Sequence, residues 1–325
     1  MSVFVQQQHS INDFSSSGSW VILSEIELSI KRKIEAVGTP LKDWDIQIYR
    51  GVLTGYNEAF IISTEKRDEI LANCHSEEER AKTAELIRPI LRGRDIKRYG
   101  YEWANLWLIA TFPARQYDIN NYPAVKNYLL SFAKQQLIDA GYSWVANEHL
   151  ADYCKQKLSQ TGKFIEIDGK RITIGNSQEK ARKKTSNKWF ETQDSISYWD
   201  DFNQPKIVWA RLMRISKDDP TSFPRFASVP KGVFVVDSLC FFVGKQIQKI
   251  CNALNSDYAT YYYFRNIAIL DNGGMQMRQQ YIEEIPLPKN LENDIFEEFN
   301  FTESEQNFIR SYIAERFAEV SNSKR

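Results

Sequence analysis

Histidine is nearly missing from this chain, with only His9, His75 and His149 among 325 residues. None has neighbours suited to a Ser/His/Asp or Cys/His arrangement, so nucleophilic catalysis of that kind is not expected. Cysteine is almost as scarce. Cys74, Cys154, Cys240 and Cys251 form no CxxC pair, which argues against a zinc knuckle or a disulfide framework and suits a reducing compartment. Cys74 beside His75, and His149 before Cys154, read as incidental neighbours and not as metal ligands. Net charge is lacking as well, because 42 basic residues balance 42 acidic ones. No apolar run approaches the roughly 18 residues that span a bilayer, and the opening MSVFVQQQHSINDFSSSGSW lacks the basic-then-apolar order of a signal peptide. The expectation is a cytoplasmic protein with no membrane contact. What is abundant is core-forming: 42% hydrophobic and 13% aromatic residues indicate a folded chain long enough for two subdomains.

Against this balanced charge one stretch stands out, IRPILRGRDIKRYGYEWANLWLIATFP from Ile87. Arg88, Arg92, Arg94, Lys97 and Arg98 face a single acid, Asp95, and Tyr99, Tyr101, Trp103 and Trp107 follow. A local positive field on a neutral body suits a polyanion, and planar cations beside aromatics suit nucleic acid. Gly93 is expected to let the chain turn between Arg92 and Arg94. A second run, NSQEKARKKTSNK, gathers Lys180, Arg182, Lys183, Lys184 and Lys188.

Taken in order, residues 1–18 read as a disordered tail or the end of a cut chain. Ser24 and Glu27 form a capping box ahead of a helix through Ile34, stopped by Gly38 and Pro40. From Trp44 two strands are expected, joined by a loop from Arg50 to Asn57 in which Gly51 and Gly55 leave Thr54 free to meet a ligand. A charged helical region, a buried strand at Trp107–Phe112 and a helix from Pro123 to about Gly141 follow. Residues 142–188 read as an insertion with a β-hairpin, FIEIDGKRITI, turning at Asp168-Gly169. A strand at Lys206–Leu212, a central strand pair in GVFVVDSLCFFVG and a helix to Leu254 come next. Tyr258–Phe264 fits either a strand or a packed helix. Pro286 and Pro288 are expected to end the sheet. Thr302 with Glu305 starts an amphipathic C-terminal helix expected to cover the core. The fold class is α+β: a mixed sheet, flanking helices, an inserted hairpin and a C-terminal helix. Residues 19–141 and 189–290 form its two main parts, and 291–325 a helical end.

The motifs RGVLTGYNEAFII, IRPILRGRDIKRYGYEWANLWLIATFP, KWFETQDSISYWDDFNQPKIVWARL, ALNSDYATYYY and YIEEIPLPK, in that order, cover most of residues 44–290. In that order the chain resembles the target-recognition part of bacterial type IIG restriction-modification enzymes, which fuse an endonuclease to an adenine methyltransferase. It is also similar to the C-terminal specificity domain of the TaqI adenine methyltransferase, and its last two motifs look like the ends of type I specificity-subunit domains. The resemblance implies sequence-specific binding of double-stranded DNA beside a methyltransferase or endonuclease domain or subunit. It also implies that S-adenosylmethionine and Mg²⁺ serve that partner and that no cofactor is held here. The chain has no FxGxG-like loop and no NPPY-like motif, so catalysis by this chain alone is not expected.

DNA recognition needs cations for phosphates and hydrogen-bonding side chains for base edges. Lys97, Arg98, Lys183 and Lys184 are candidates for phosphates, and Arg92 and Arg94 for bidentate contacts to guanine. Thr54 and Asn57 can meet backbone or base. Arg50, Arg88, Lys206 and Arg211, from the same motifs, complete the candidate set. Two alternatives differ in kind. Asp168 and Lys170, with Glu166 before them, fit half of a Mg²⁺-dependent nuclease site, although an Asp-Gly turn explains the same residues and the upstream PD is missing. The other is a scaffold that docks a methyltransferase subunit through its terminal helix.

Overall fold

The computed structural model describes residues 23–139, 154–155, 158, 164–167, 170–173, 186–270 and 273–322. The Ser24 hydroxyl accepts the Glu27 N–H and the Glu27 carboxylate accepts the Ser24 N–H, so α1 (Glu25–Val37) begins at the expected capping box. Ile30 and Ile34 are its buried positions and Gly38 its cap. After β1 (Thr39–Pro40) comes β2 (Ile46–Arg50). The second strand expected here is shortened to β3 (Ile61–Ser63), because Asn57–Phe60 closes a helical turn, α2. The charged region forms α3 (Thr64–Ala72) and α4 (Glu77–Leu86). Then follow β4 (Ile87–Leu91), β5 (Leu106–Ile109) and α5 (Pro123–Asp139), with proline in the first turn. In the inserted segment β6 (Phe164–Ile167) pairs with β7 (Lys170–Thr173), Ile167 opposite Lys170, which leaves a two-residue connection; Asp168 and Gly169 themselves lie outside the described residues.

The remaining strands are β8 (Lys206–Ala210), β9 (Met213–Arg214), β10 (Phe226–Val229), β11 (Phe234–Val235) and β12 (Leu239–Gly244). Helices α6 (Ile247–Leu254) and α7 (Asp257–Asn266) precede β13 (Gly274–Met275), α8 (Gln279–Ile282), β14 (Pro286–Leu287), α9 (Ile295–Glu298) and α10 (Glu303–Asn322). The fold is α+β. One four-stranded sheet runs β10-β8-β12-β2, all antiparallel; the other runs β11-β4-β5-β3 and is mixed, since β11 lies parallel to β4. Two expectations are corrected here. β11 and β12 do not pair with each other, because β12 is occupied on both sides by β8 and β2. Nor does pairing stop at the prolines, since β14 joins β1 with Leu287 opposite Thr39.

The two sheets are joined where the chain crosses between them twice. Leaving β2, Gly51 N–H donates to Leu239 O at 2.9 Å and Val52 N–H to Val235 O at 2.7 Å, while Asp237 N–H returns to Val52 O at 2.9 Å. The backbones approach so closely that a Cβ on Gly51 would sit 2.2 Å from Val236 O, so only glycine fits. Phe202 plugs the space between the sheets, with ring centroids 4.1 Å from Phe234 and 4.7 Å from Phe241. The aromatic Tyr258–Phe264 segment resolves as helix. Its Ser256 cap accepts the Ala259 N–H, and burial on several faces demands aromatics without demanding strand. Helix α10 packs on it through Tyr312 against Tyr261 and Phe317 against Phe264, and buries Ile309, Ile313 and Val320 in the expected core-covering role. Among the described residues no helix is long and apolar enough to cross a membrane.

Candidate nucleic-acid interface

The C-terminal ends of β2, β4 and β8 meet at the turn from Val236 to Leu239. In register, Arg50 at the end of β2 lies opposite Cys240, Ala210 at the end of β8 opposite Leu239, and Leu91 at the end of β4 beside Val235. Each strand then delivers an arginine to that turn: Arg50, Arg92 and Arg211. Arg211 N–H donates to Ser238 O at 2.9 Å and its Nη1 to Asp237 O at 3.3 Å. Arg50 pairs with Asp194, Nη2 to Oδ2 at 3.0 Å, and the same oxygen accepts the Leu53 N–H. Arg50 and Arg211 also flank the Cys240 thiol, which burial nevertheless pushes up to about 11.

Beside this turn a groove of about 560 Å³ is lined by Asn57, Arg92, Arg94, Asp237 and Ser238, with Ile61 and Leu106 as its apolar wall. Its chemistry is mixed: guanidinium, amide and hydroxyl donors stand beside carboxylate and amide acceptors. That mixture can match base edges as well as phosphates, where an all-cation surface would match only phosphates. Arg94 is exposed and has no partner among the described residues. Arg92 is held by Asp95, whose carboxylate is 4% exposed, and keeps Nη1 for an outside acceptor. The chain does turn at Gly93, which opens a 3-10 turn over Gly93–Asp95, but the turn does not require glycine. A Cβ there would make only an ordinary contact, 3.8 Å from Ser238 Oγ.

Asn57, Arg92 and Arg94 therefore line one groove, Arg211 is bonded to the Asp237 and Ser238 carbonyls at its edge, and Arg50 stands opposite Cys240 where the same turn ends; these five make the candidate rim. Thr54 is a correction: it is fully buried, its hydroxyl donating to Asn57 Oδ1 and accepting the Tyr56 N–H, so it positions Asn57 and meets no ligand. Lys206 is another. It sits fully buried at the opposite end of β8 from Arg211, with Nζ donating to Phe202 O at 3.0 Å and Pro230 O at 3.1 Å, and burial lowers its pKa to about 8. Arg98 is a clamp, donating to Thr221 O at 2.6 Å and to Asn255 O. Arg88 lies over the Trp199 ring at 5.7 Å and reaches Asn203, while exposed Lys97 pairs with Glu102 at 3.0 Å. Lys183 and Lys184 lie outside the described residues, as does Asp168 of the nuclease alternative. Among the described residues no three His, Cys, Asp or Glu side chains gather where a metal ion could be held. The reading from sequence missed Asp237, Ser238 and Asp194; the Asp-Ser pair between two apolar runs is a turn signal that marks the first two.

A family model described as "TaqI-like C-terminal specificity domain" matches residues 88–287, a span that holds Arg92, Arg94, Arg211 and the Val236–Leu239 turn. Comparison with curated proteins found no match. Among solved structures, the type IIG restriction endonuclease BpuSI is 12% identical with a TM-score of 0.42, over 89% of this chain and 28% of that one. The Type IIL restriction-modification enzyme MmeI, solved in complex with DNA, is 10% identical with a TM-score of 0.40, over 98% of this chain and 39% of that one. The chain thus spans well under half the length of either structure.

Proposed function

The chain belongs to the family of TaqI-like C-terminal specificity domains, and from that premise we propose that it is the sequence-reading module of a restriction-modification enzyme. In this reading it holds double-stranded DNA on the rim of Arg50, Asn57, Arg92, Arg94 and Arg211 and presents the duplex to a methyltransferase or endonuclease domain or subunit. The observation that carries the reading is the convergence of three arginine-tipped strand ends, drawn from both sheets, on the Val236–Leu239 turn. Arg94, free of any internal acid among the described residues, is the main candidate for a bidentate guanine contact. Arg92, with its Nε edge fixed by Asp95, approaches a base end-on. Arg50 and Arg211 steady the duplex backbone. Methyl transfer and cleavage belong to the partner, which is where S-adenosylmethionine and Mg²⁺ would act.

The test is equilibrium binding of the whole chain to mixed-sequence duplex DNA across a salt series. Log affinity is expected to fall linearly with log salt, at roughly −0.9 per phosphate neutralised. Absent binding, or binding indifferent to salt, overturns the reading.

A further inference from the structure

We propose that Tyr99 is a base-stacking contact, its ring packing on the face of a nucleotide base in DNA held at the rim. The inference rests on the DNA-reading function proposed above. Residues 96–101 form a finger: Ile96 bridges Tyr101, and Lys97 N–H donates to Gly100 O at 2.8 Å across the tip. Its base is closed by Glu102 N–H donating to Asp95 O at 2.8 Å. Asp95 is also the residue that holds Arg92, so finger and rim share a root.

At the tip Tyr99 has φ 69°, a left-handed conformation that glycine or asparagine adopts readily and an aromatic residue rarely does. The edge of β10 holds it there, with Tyr99 N–H donating to Phe226 O at 2.9 Å and Ser228 N–H to Tyr99 O at 3.0 Å. These are backbone contacts, which any residue type supplies. Packing does not call for tyrosine either, since the residue is 47% exposed. The Arg98 guanidinium, anchored on Thr221 O and Asn255 O, stands 5.6 Å from the ring centroid and fixes one side of it. An exposed tyrosine with its backbone pinned and a guanidinium beside its ring, close in sequence to exposed Lys97 and Arg94, matches what a base requires, a flat apolar face among groups that tolerate phosphate.

The experiment compares the whole chain and three variants for binding to a mixed-sequence duplex and to the same duplex with one unpaired base, whose unstacking has already been met. The unaltered chain is expected to prefer the unpaired base. Tyr99→Ala is expected to lose that preference and roughly ten- to hundredfold in affinity for it, while Tyr99→Phe keeps both. Tyr99→Gly is expected to bind as weakly as the alanine variant with a Tm unchanged or raised, because glycine accepts this φ without strain. Equal affinity of Tyr99→Ala and the unaltered chain for both duplexes, or a phenylalanine variant as weak as alanine, overturns this inference while leaving the rim intact. Failure of the unaltered chain to bind any duplex overturns both.

Discussion

Asp95 grips Arg92 at three points. Its Oδ2 accepts the Arg92 backbone N–H at 2.8 Å and Nε at 3.3 Å, and its Oδ1 accepts Nη2 at 3.0 Å. Arg94, two residues on, has no partner among the described residues. The two arginines therefore answer differently to removal. Arg92→Ala strands a buried carboxylate and is expected to cost on the order of 2–3 kcal/mol of stability. Arg94→Ala is expected to stay within about 0.5 kcal/mol of the unaltered chain, yet to lose about 1–3 kcal/mol of duplex affinity at one base position. Urea denaturation alongside binding to a randomised duplex library separates the two. Equal losses on every sequence for Arg94→Ala would make it a phosphate clamp.

Lys206 makes stability depend on alkaline pH. Burial brings its pKa from 10.5 down to about 8. Between these values the unfolded chain binds the proton that the folded chain has released, so stability rises with pH across that window, and the penalty is fully present below it. Lys206→Met is expected to gain on the order of 1–2 kcal/mol at neutral pH, since relief of the buried charge exceeds the loss of Pro230's donor. Phe202 O keeps the Gly232 N–H at 2.8 Å. Denaturation midpoints measured from pH 7 to 11 should show the variant's advantage shrinking as pH rises, while buried thiols such as Cys240, pushed up to about 11, weaken both proteins alike at the alkaline end.

Glu305 carries a dependence of the same sign at acid pH. Burial pushes its carboxyl up, but hydrogen bonds from Lys33, Ser29 and Thr302 outweigh it and pull the pKa to about 2. A carboxylate depressed in the folded state stabilises above its ordinary pKa, and that contribution is lost as pH falls from about 4.5 through about 2. Glu305→Gln is expected to loosen the joint between α10 and α1 at neutral pH and to remove this acid limb. Amide exchange along α10 at pH 6 and pH 3 is the measurement. Equal protection in both proteins would refute it.

Gly51 and Gly93 invite the same substitution with different results. Alanine at 51 drives a Cβ to 2.2 Å from Val236 O at the crossing between the sheets, and a shift there is expected to cost about 1–3 kcal/mol or more. Alanine at 93 meets nothing closer than 3.8 Å and should leave Tm nearly unchanged. Thermal denaturation of the two variants decides it.

Elements with local causes were readable from the chain. The capping boxes at Ser24 and Thr302, the proline that opens α5 and the pairing of β6 with β7 all depend on neighbours within a few residues. The rim was only partly readable. Nothing local distinguishes Arg94, which stays in solvent, from Arg98, which is drawn onto the Thr221 and Asn255 carbonyls more than a hundred residues away. Lys206 looked like a surface cation because burial of a lysine by two carbonyls leaves no mark in sequence. Thr54 looked accessible because its flanking glycines suggested an open loop, whereas Gly51 serves close backbone approach.

The double crossing at Gly51–Val52 and Val236–Asp237 also bears on how such a module could be retargeted. Positions 50, 57, 92, 94 and 211 are remote in sequence but hang from one backbone frame, so exchanging a contiguous block between relatives would split the frame and forfeit the surface. Side-chain replacement at these scattered points leaves the frame whole, so under the proposed DNA-reading function altered specificity is expected from dispersed point changes sooner than from grafting.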